Sequence, residues 1–319
     1  MSEDSKKNTL LGNVLGLAAP AVLCTLLWGT AFPGIKAGYE LFSIDGQDSG
    51  SMVLFAGLRF FIAGFIVLLI GGFKEKKLQK LIPHKNDLLP ISVLAFFQTL
   101  LQYFLLYLGI STVSGTRSAI YTSAAAFATV LASPLFFRGD RLSVKKISGC
   151  IIGIIGIVYM SAFAGSFGGF TLLGDGLVIL SNLSGAAGNI VSKKITSEKR
   201  GPVLVSAWQL VLGGAALTIT GIILGGKLST DSLGGWLVLL YLAAMAGIAF
   251  MIWTYLLSKN PVSRVAVFNL LIPVFGTMWS GIFLRENIFT ASNIIALILV
   301  CSGIFLVNFS HTRLISRNK

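Results

Sequence analysis

Tyr107-Leu108-Gly109-Ile110-Ser111-Thr112-Val113-Ser114-Gly115 leads into an apolar run, then Gly139-Asp140-Arg141, then a second apolar run rich in Gly and Ile that reaches Tyr159. A fainter copy begins at Tyr255-Leu256-Leu257-Ser258-Lys259-Asn260-Pro261-Val262-Ser263. It continues to Leu284-Arg285-Glu286-Asn287 and closes near Val307. The spacing holds: Tyr107 to Tyr255 is 148 residues and Asp140 to Glu286 is 146. Upstream, Ala56-Gly57-Leu58-Arg59-Phe60 is echoed by Ser206-Ala207-Trp208-Gln209-Leu210 at an offset of 150. A near-constant period of this length marks the duplication of one unit. The expected division is a first unit over residues 1–165 and a second over 166–319.

The 319-residue chain is 55% hydrophobic and 12% charged, with mean hydropathy +0.84. Soluble domains carry about 25% charged residues, so half that value places this chain in a bilayer. A helix crossing the hydrocarbon core needs about 20 mostly apolar residues. Ten stretches qualify, roughly 14–38, 52–73, 88–110, 115–137, 144–163, 172–193, 203–225, 235–258, 262–284 and 290–309. The runs are continuous rather than alternating, which excludes a membrane barrel. The first is too long for a cleaved leader and has no clear cleavage site, so it reads as an uncleaved span. The fold expected is therefore all-α and integral to the membrane.

Lys and Arg set the orientation. Of 25, twenty fall in one alternating set of connections and termini; Arg117, Lys227 and Arg285 fall in the other. Lys36 and Arg59 lie within helices. That bias predicts both termini on the cytoplasmic side of the cell membrane. It also gives the net charge of +13 a membrane reading, so no nucleic-acid partner is expected. Each unit then holds an odd number of spans, five, and the second enters the bilayer inverted relative to the first. Inverted repeats around a central cavity are a transporter architecture.

The motifs Leu26-Leu27-Trp28-Gly29-Thr30-Ala31-Phe32, Gly57-Leu58-Arg59-Phe60, Gly139-Asp140-Arg141-Leu142-Ser143 and Ala207-Trp208-Gln209-Leu210 resemble the drug/metabolite transporter superfamily, in its EamA-type branch. The resemblance runs from about Leu17 to Val307 and lies in the order of the motifs and the five-plus-five repeat. It implies a cavity lined by helices one, three, four, six, eight and nine. It also implies transport, often export, of amino acids or similar small metabolites. The sequence departs from the family pattern at Asp140, where Glu is usual, and at Ser181–Gly185, where an Ala/Leu/Trp stretch is usual.

Polar side chains at membrane depth are costly and face the protein interior or a wet cavity. Candidates for substrate binding are Trp28, Gln98, Gln102, Tyr103, Thr122, Asn182, Asn189, Trp253 and Asn269. Gln98 and Gln102 are four apart, and Asn182 and Asn189 are seven apart, so each pair shares a helical face. Interhelical hydrogen bonding is the competing role for each. Lys36, near the outer end of the first span, is a snorkelling side chain or an anion-steering group. Arg59 stands about 10 Å below the outer boundary with no acid at its depth. It must bond carbonyls, face water or meet a substrate carboxylate, and the neutral Gln209 at the echo position points to a structural bracket. Pro33 and Pro273 are expected to interrupt helices one and nine. Gly149, Gly153 and Gly156 form a stripe for close helix packing rather than a nucleotide loop.

Cys24, Cys150 and Cys301 lie in apolar runs with no metal-binding spacing, and His84 and His311 are isolated. No metal site, cofactor or enzyme constellation is expected, and no phosphate loop for ATP is present in the sequence. The partners expected are a small-molecule solute and the lipid bilayer, around a monomer or weak homo-oligomer. With no midplane carboxylate in the sequence, the expected energetics are exchange down the solute gradient or proton coupling through an unusual group. The runner-up activity is flipping of a lipid-linked sugar or other amphiphile.

Overall fold

A computed structural model describes residues 3–75, 81–110, 115–163, 171–198, 200–284 and 291–309. The described residues form ten helical rods and no strand. In chain order α1 is Glu3–Leu41 and α2 is Ser49–Glu75. The third rod, α3, is α-helical over Lys85–Ala95, widens to a π-helical stretch over Phe96–Leu101 and resumes over Gln102–Ile110. Next come α4 (Gly115–Phe136) and α5 (Val144–Phe163). The sixth rod, α6, opens with a π turn at Leu172–Gly176 and continues over Leu177–Ser197. It is followed by α7 (Pro202–Ile223) and α8 (Leu233–Lys259). The ninth rod, α9, starts at Val262–Ala266, tightens to a 3₁₀ turn over Val267–Leu270 and runs on over Leu271–Leu284; α10 is Ala291–Phe309.

Each expected span coincides with one rod. Five stretches among the described residues are long and apolar enough to cross a bilayer: Gly16–Leu41, Ser49–Phe73, Lys85–Gly109, Pro202–Ile223 and Leu233–Lys259. Large apolar side chains point outward along them. Leu69 is 62% and Phe73 84% exposed, an arrangement that is stable when lipid covers the surface.

The rods pair in a regular scheme. The second rod lies along α7 and α5 along α10, while α1 packs on α8 and α9 and α6 packs on α3 and α4. Small residues make the α2–α7 contact. A Cβ on Gly57 would stand 2.3 Å from the Thr218 amide nitrogen, and one on Gly214 would stand 2.3 Å from that of Phe61. The expected glycine stripe on α5 is used in the same manner. A Cβ on Gly149 would meet the Gly303 carbonyl at 2.6 Å, so the two backbones touch there.

Pro33 does not break its helix, contrary to the sequence reading: α1 runs unbroken through Pro20 and Pro33. A proline removes one intrahelical bond, and a helix of 39 residues absorbs that loss. The irregular backbone lies elsewhere, in the π stretches of α3 and α6 and the 3₁₀ turn that precedes Pro273 in α9. The helix of α1 also begins at Glu3, about ten residues before the apolar run does.

Contacts between connections tie the two ends of the bundle. At the basic end, Arg200 meets Asp87 at 2.6 Å, and the Lys193 ammonium donates to the Ser258 carbonyl at 3.1 Å. At the far end the Ser51 hydroxyl donates to the Lys227 carbonyl at 2.8 Å, and Thr230 donates to the Leu41 carbonyl at 2.7 Å.

Candidate functional site

The rods enclose a cavity of about 330 Å³, in the range of small-molecule sites. It extends from the middle of the bundle toward the far end. Ten of the sequence candidates line it: Trp28, Lys36, Arg59, Gln98, Gln102, Tyr103, Asn182, Asn189, Trp253 and Asn269. The eleventh, Thr122, has a side chain outside the described residues. The lining includes side chains from α1, α3, α4, α6, α8 and α9, and also from α2 through Arg59 and Phe60.

A polar junction closes the floor. The Asn189 carbonyl oxygen on α6 accepts from Gln98 Nε2 on α3 at 3.2 Å and from Trp253 Nε1 on α8 at 3.0 Å. Trp28 from α1 stands edge-on to Trp253 and Phe250, with ring centroids 5.0 and 5.5 Å away. Four rods thus meet at one amide oxygen and one aromatic cluster. Such T-shaped pairs contribute about 0.5–1.5 kcal/mol each, so the floor holds its shape before any ligand arrives. The close approach of α3 to α6 relies on Gly188, where a Cβ would fall 2.6 Å from Gln98 Cβ.

Other polar atoms on the wall have no partner among the described residues. These are Trp28 Nε1, Gln98 Oε1, Asn269 Oδ1, and Nε and Nη1 of Arg59. Buried polar groups are ordinarily paired, and an unpaired one costs about 1–3 kcal/mol. These atoms belong to residues that line one cavity, the arrangement expected where a polar solute completes the set. Ser192 Oγ, Gln209 Nε2 and Trp279 Nε1 are unpaired away from it. Asn182 is different: its Nδ2 donates back to the Val178 carbonyl at 2.8 Å. Its free valence is the amide oxygen.

Arg59 is 3% exposed. Its guanidinium carbon sits 4.4 Å from the Phe60 ring centroid and 5.8 Å from that of Tyr103. Contacts of this kind contribute up to about 2 kcal/mol when desolvated, but they leave the N–H groups unused. Lys36 is exposed and marks the mouth of the cavity. Tyr39, Phe60, Tyr107, Ser181, Met245 and Phe250 also line the wall and were missed in the sequence. In rods that are apolar on every side, no periodicity separates a cavity-facing aromatic from a lipid-facing one.

Below the floor, at the basic end, a buried ion pair of the first half is tied to the second half through Ser263. Asp140, in the α4–α5 connection, accepts from the Lys146 ammonium at 2.5 Å. It also accepts from the Ser263 backbone N–H at 2.9 Å and from the Ser263 hydroxyl, at the first turn of α9. A carboxylate on the first turn of a helix meets both free N–H groups and the positive end of the dipole. Burial pushes the Asp140 carboxyl up, but the bonds from Lys146 and Ser263 outweigh it and hold the group below its ordinary range.

Comparison with known proteins agrees with this architecture. The EamA-like transporter family matches residues 15–162 and 172–309. "Uncharacterized transporter YoaV" of Bacillus subtilis (strain 168) is 24% identical over 91% of this chain and 95% of its own length. A "Probable amino-acid metabolite efflux pump" of Escherichia coli (strain K12) is 26% identical over 90% of this chain and 92% of its own length. One solved crystal structure, 19% identical, superposes with a TM-score of 0.76 over 94% of this chain and 98% of that one, a likeness of fold. With the family covering nearly the whole chain and the apolar rods facing outward, the protein belongs to the EamA-like transporter family and is a multi-pass membrane protein.

Proposed function

We propose that the protein is a secondary exporter of a small, polar and partly aromatic metabolite, with amino acids or their derivatives as the leading class. The observation that carries this reading is the cavity itself. Its floor is preformed by Asn189, Trp253 and Trp28, and the unpaired polar atoms on its wall come from both halves of the chain. The Escherichia coli relative, named "Probable amino-acid metabolite efflux pump", supports the same solute class.

Transport proceeds by alternating access between two inverted five-helix halves, residues 1–165 and 166–319, in the cytoplasmic membrane with both termini inside. The pairing scheme supports this. Exchanging the halves turns α1–α8 into α6–α3 and α1–α9 into α6–α4, and it maps α2–α7 and α5–α10 onto themselves. A molecule built that way can open toward either side by swapping the conformations of its halves.

Counterflow of radiolabelled amino acids in proteoliposomes, beside growth protection against a panel of toxic amino-acid analogues, tests the reading. Trans-stimulated flux of at least one solute is expected. Flux of none, by a protein that is monodisperse in detergent, overturns it. Flux of a lipid-linked sugar but of no free solute establishes the flippase activity instead.

A further inference from the structure

We propose that Arg59 anchors a carboxylate on the solute, and that the cavity selects organic anions with an aromatic or apolar body over amines of the same shape. The inference rests on reading the cavity as a transport site and adds the charge of what enters it.

An arginine held in place for packing alone ends on carbonyls or carboxylates. Arg59 ends on neither at Nε and Nη1, although it is 3% exposed and borders the cavity. Its ring contacts with Phe60 and Tyr103 engage none of its N–H groups in a hydrogen bond. Nη2 paired with either Nε or Nη1 makes a planar fork that matches a carboxylate in bidentate geometry.

The echo position in the second half differs in its place. Gln209 is fully buried, its Oε1 accepts from the Thr99 hydroxyl at 3.1 Å while its Nε2 has no partner, and it does not border the cavity. A neutral amide serves that place. The charge appears only in the copy that reaches the cavity.

The balance of charge on the wall gives the selectivity. Lys36 at the mouth and Arg59 inside are the charged side chains among the described lining residues, and no Asp or Glu joins them. A solute carboxylate therefore finds a fork, whereas a solute ammonium finds rings and amide oxygens. The aromatic body of the solute is met by Trp28, Phe60, Tyr103 and Phe250.

The test uses the full-length protein in nanodiscs and three probes that share one ring: 3-phenylpropionate, phenylalanine and phenethylamine, with binding read by isothermal titration calorimetry. The wild type is expected to bind 3-phenylpropionate at least as tightly as phenylalanine, and phenethylamine at least about tenfold more weakly. Arg59→Gln should lose about tenfold or more in affinity for the two carboxylates with no loss for phenethylamine, and Arg59→Lys should fall between. If Arg59→Gln does not fold, the order of the three probes on the wild type still decides. Phenethylamine binding as tightly as 3-phenylpropionate, or unchanged carboxylate binding in folded Arg59→Gln, overturns the proposal and leaves the transport reading standing. Binding of no probe while counterflow of another solute persists also overturns it; absence of both overturns the transport reading as well.

Discussion

Asn189 concentrates more of the cavity's geometry than any other side chain, because its single amide oxygen receives donors from two other rods. Interhelical hydrogen bonds inside bilayers average only about 0.6 kcal/mol, so Asn189→Ala should cost little stability. The floor, however, loses the group that orients Trp253. Asn189→Ala and Trp28→Ala are each expected to reduce counterflow about tenfold or more, equivalent to about 1.4 kcal/mol. Both should retain membrane insertion and a melting temperature close to wild type, by fluorescence size-exclusion thermostability. Asp140 behaves in the opposite way. Removing one partner of a buried ion pair costs about 3–5 kcal/mol, so Asp140→Ala should melt well below wild type. Its folded carboxyl lies below its ordinary value, so the stability it supplies is present above about pH 4. That contribution is lost as pH falls through the lowered value, and wild-type melting should be flat from neutral pH down to about 5 and decline only below about 4. Asp140→Ala should lack that acid-dependent component. The polar members of the site were legible in the sequence because amides and indoles are costly at membrane depth. Asp140 was legible only as part of a motif, since its partner Ser263 lies 123 positions away.

At the scale of the helix, backbone contact decides which substitutions are tolerated. The second and seventh rods touch through Gly57 and Gly64 on one side and Gly214 and Gly221 on the other. A methyl group at Gly57 would fall against the Thr218 amide nitrogen, which cannot move aside as a side-chain tip can. Overpacking of a tight interface costs about 1–3 kcal/mol, and more for larger groups. Gly57→Leu and Gly214→Leu should therefore lose the monodisperse peak in detergent, whereas Gly139→Ala, which meets nothing within 4 Å, should not. The rods were readable from sequence by length and hydropathy alone, and the α5 glycine stripe by its spacing. The π stretch at Phe96–Leu101 was not, because no residue in that run marks a widened turn. Pro33 misled for the complementary reason: proline signals a lost bond, and a helix held along its length by α8 and α9 tolerates one.

Across the whole molecule, the pairing scheme survives exchange of α1–α5 with α6–α10. Labelling of single cysteines placed at residues 8 and 314 should modify both from the same side of sealed vesicles; modification from opposite sides would dismiss the inverted arrangement. The symmetry is broken where it matters for charge, with Arg59 at the cavity and its counterpart Gln209 packed against α3. The described lining holds no acid to carry a proton or a sodium ion alongside the solute. A solute with a carboxylate and no ammonium would then cross as uncompensated negative charge. A cell interior held at −100 mV repels such an ion outward with about 2.3 kcal/mol, enough for roughly a fiftyfold accumulation outside without any co-transported ion. The resting voltage of the cell would itself be the engine of export.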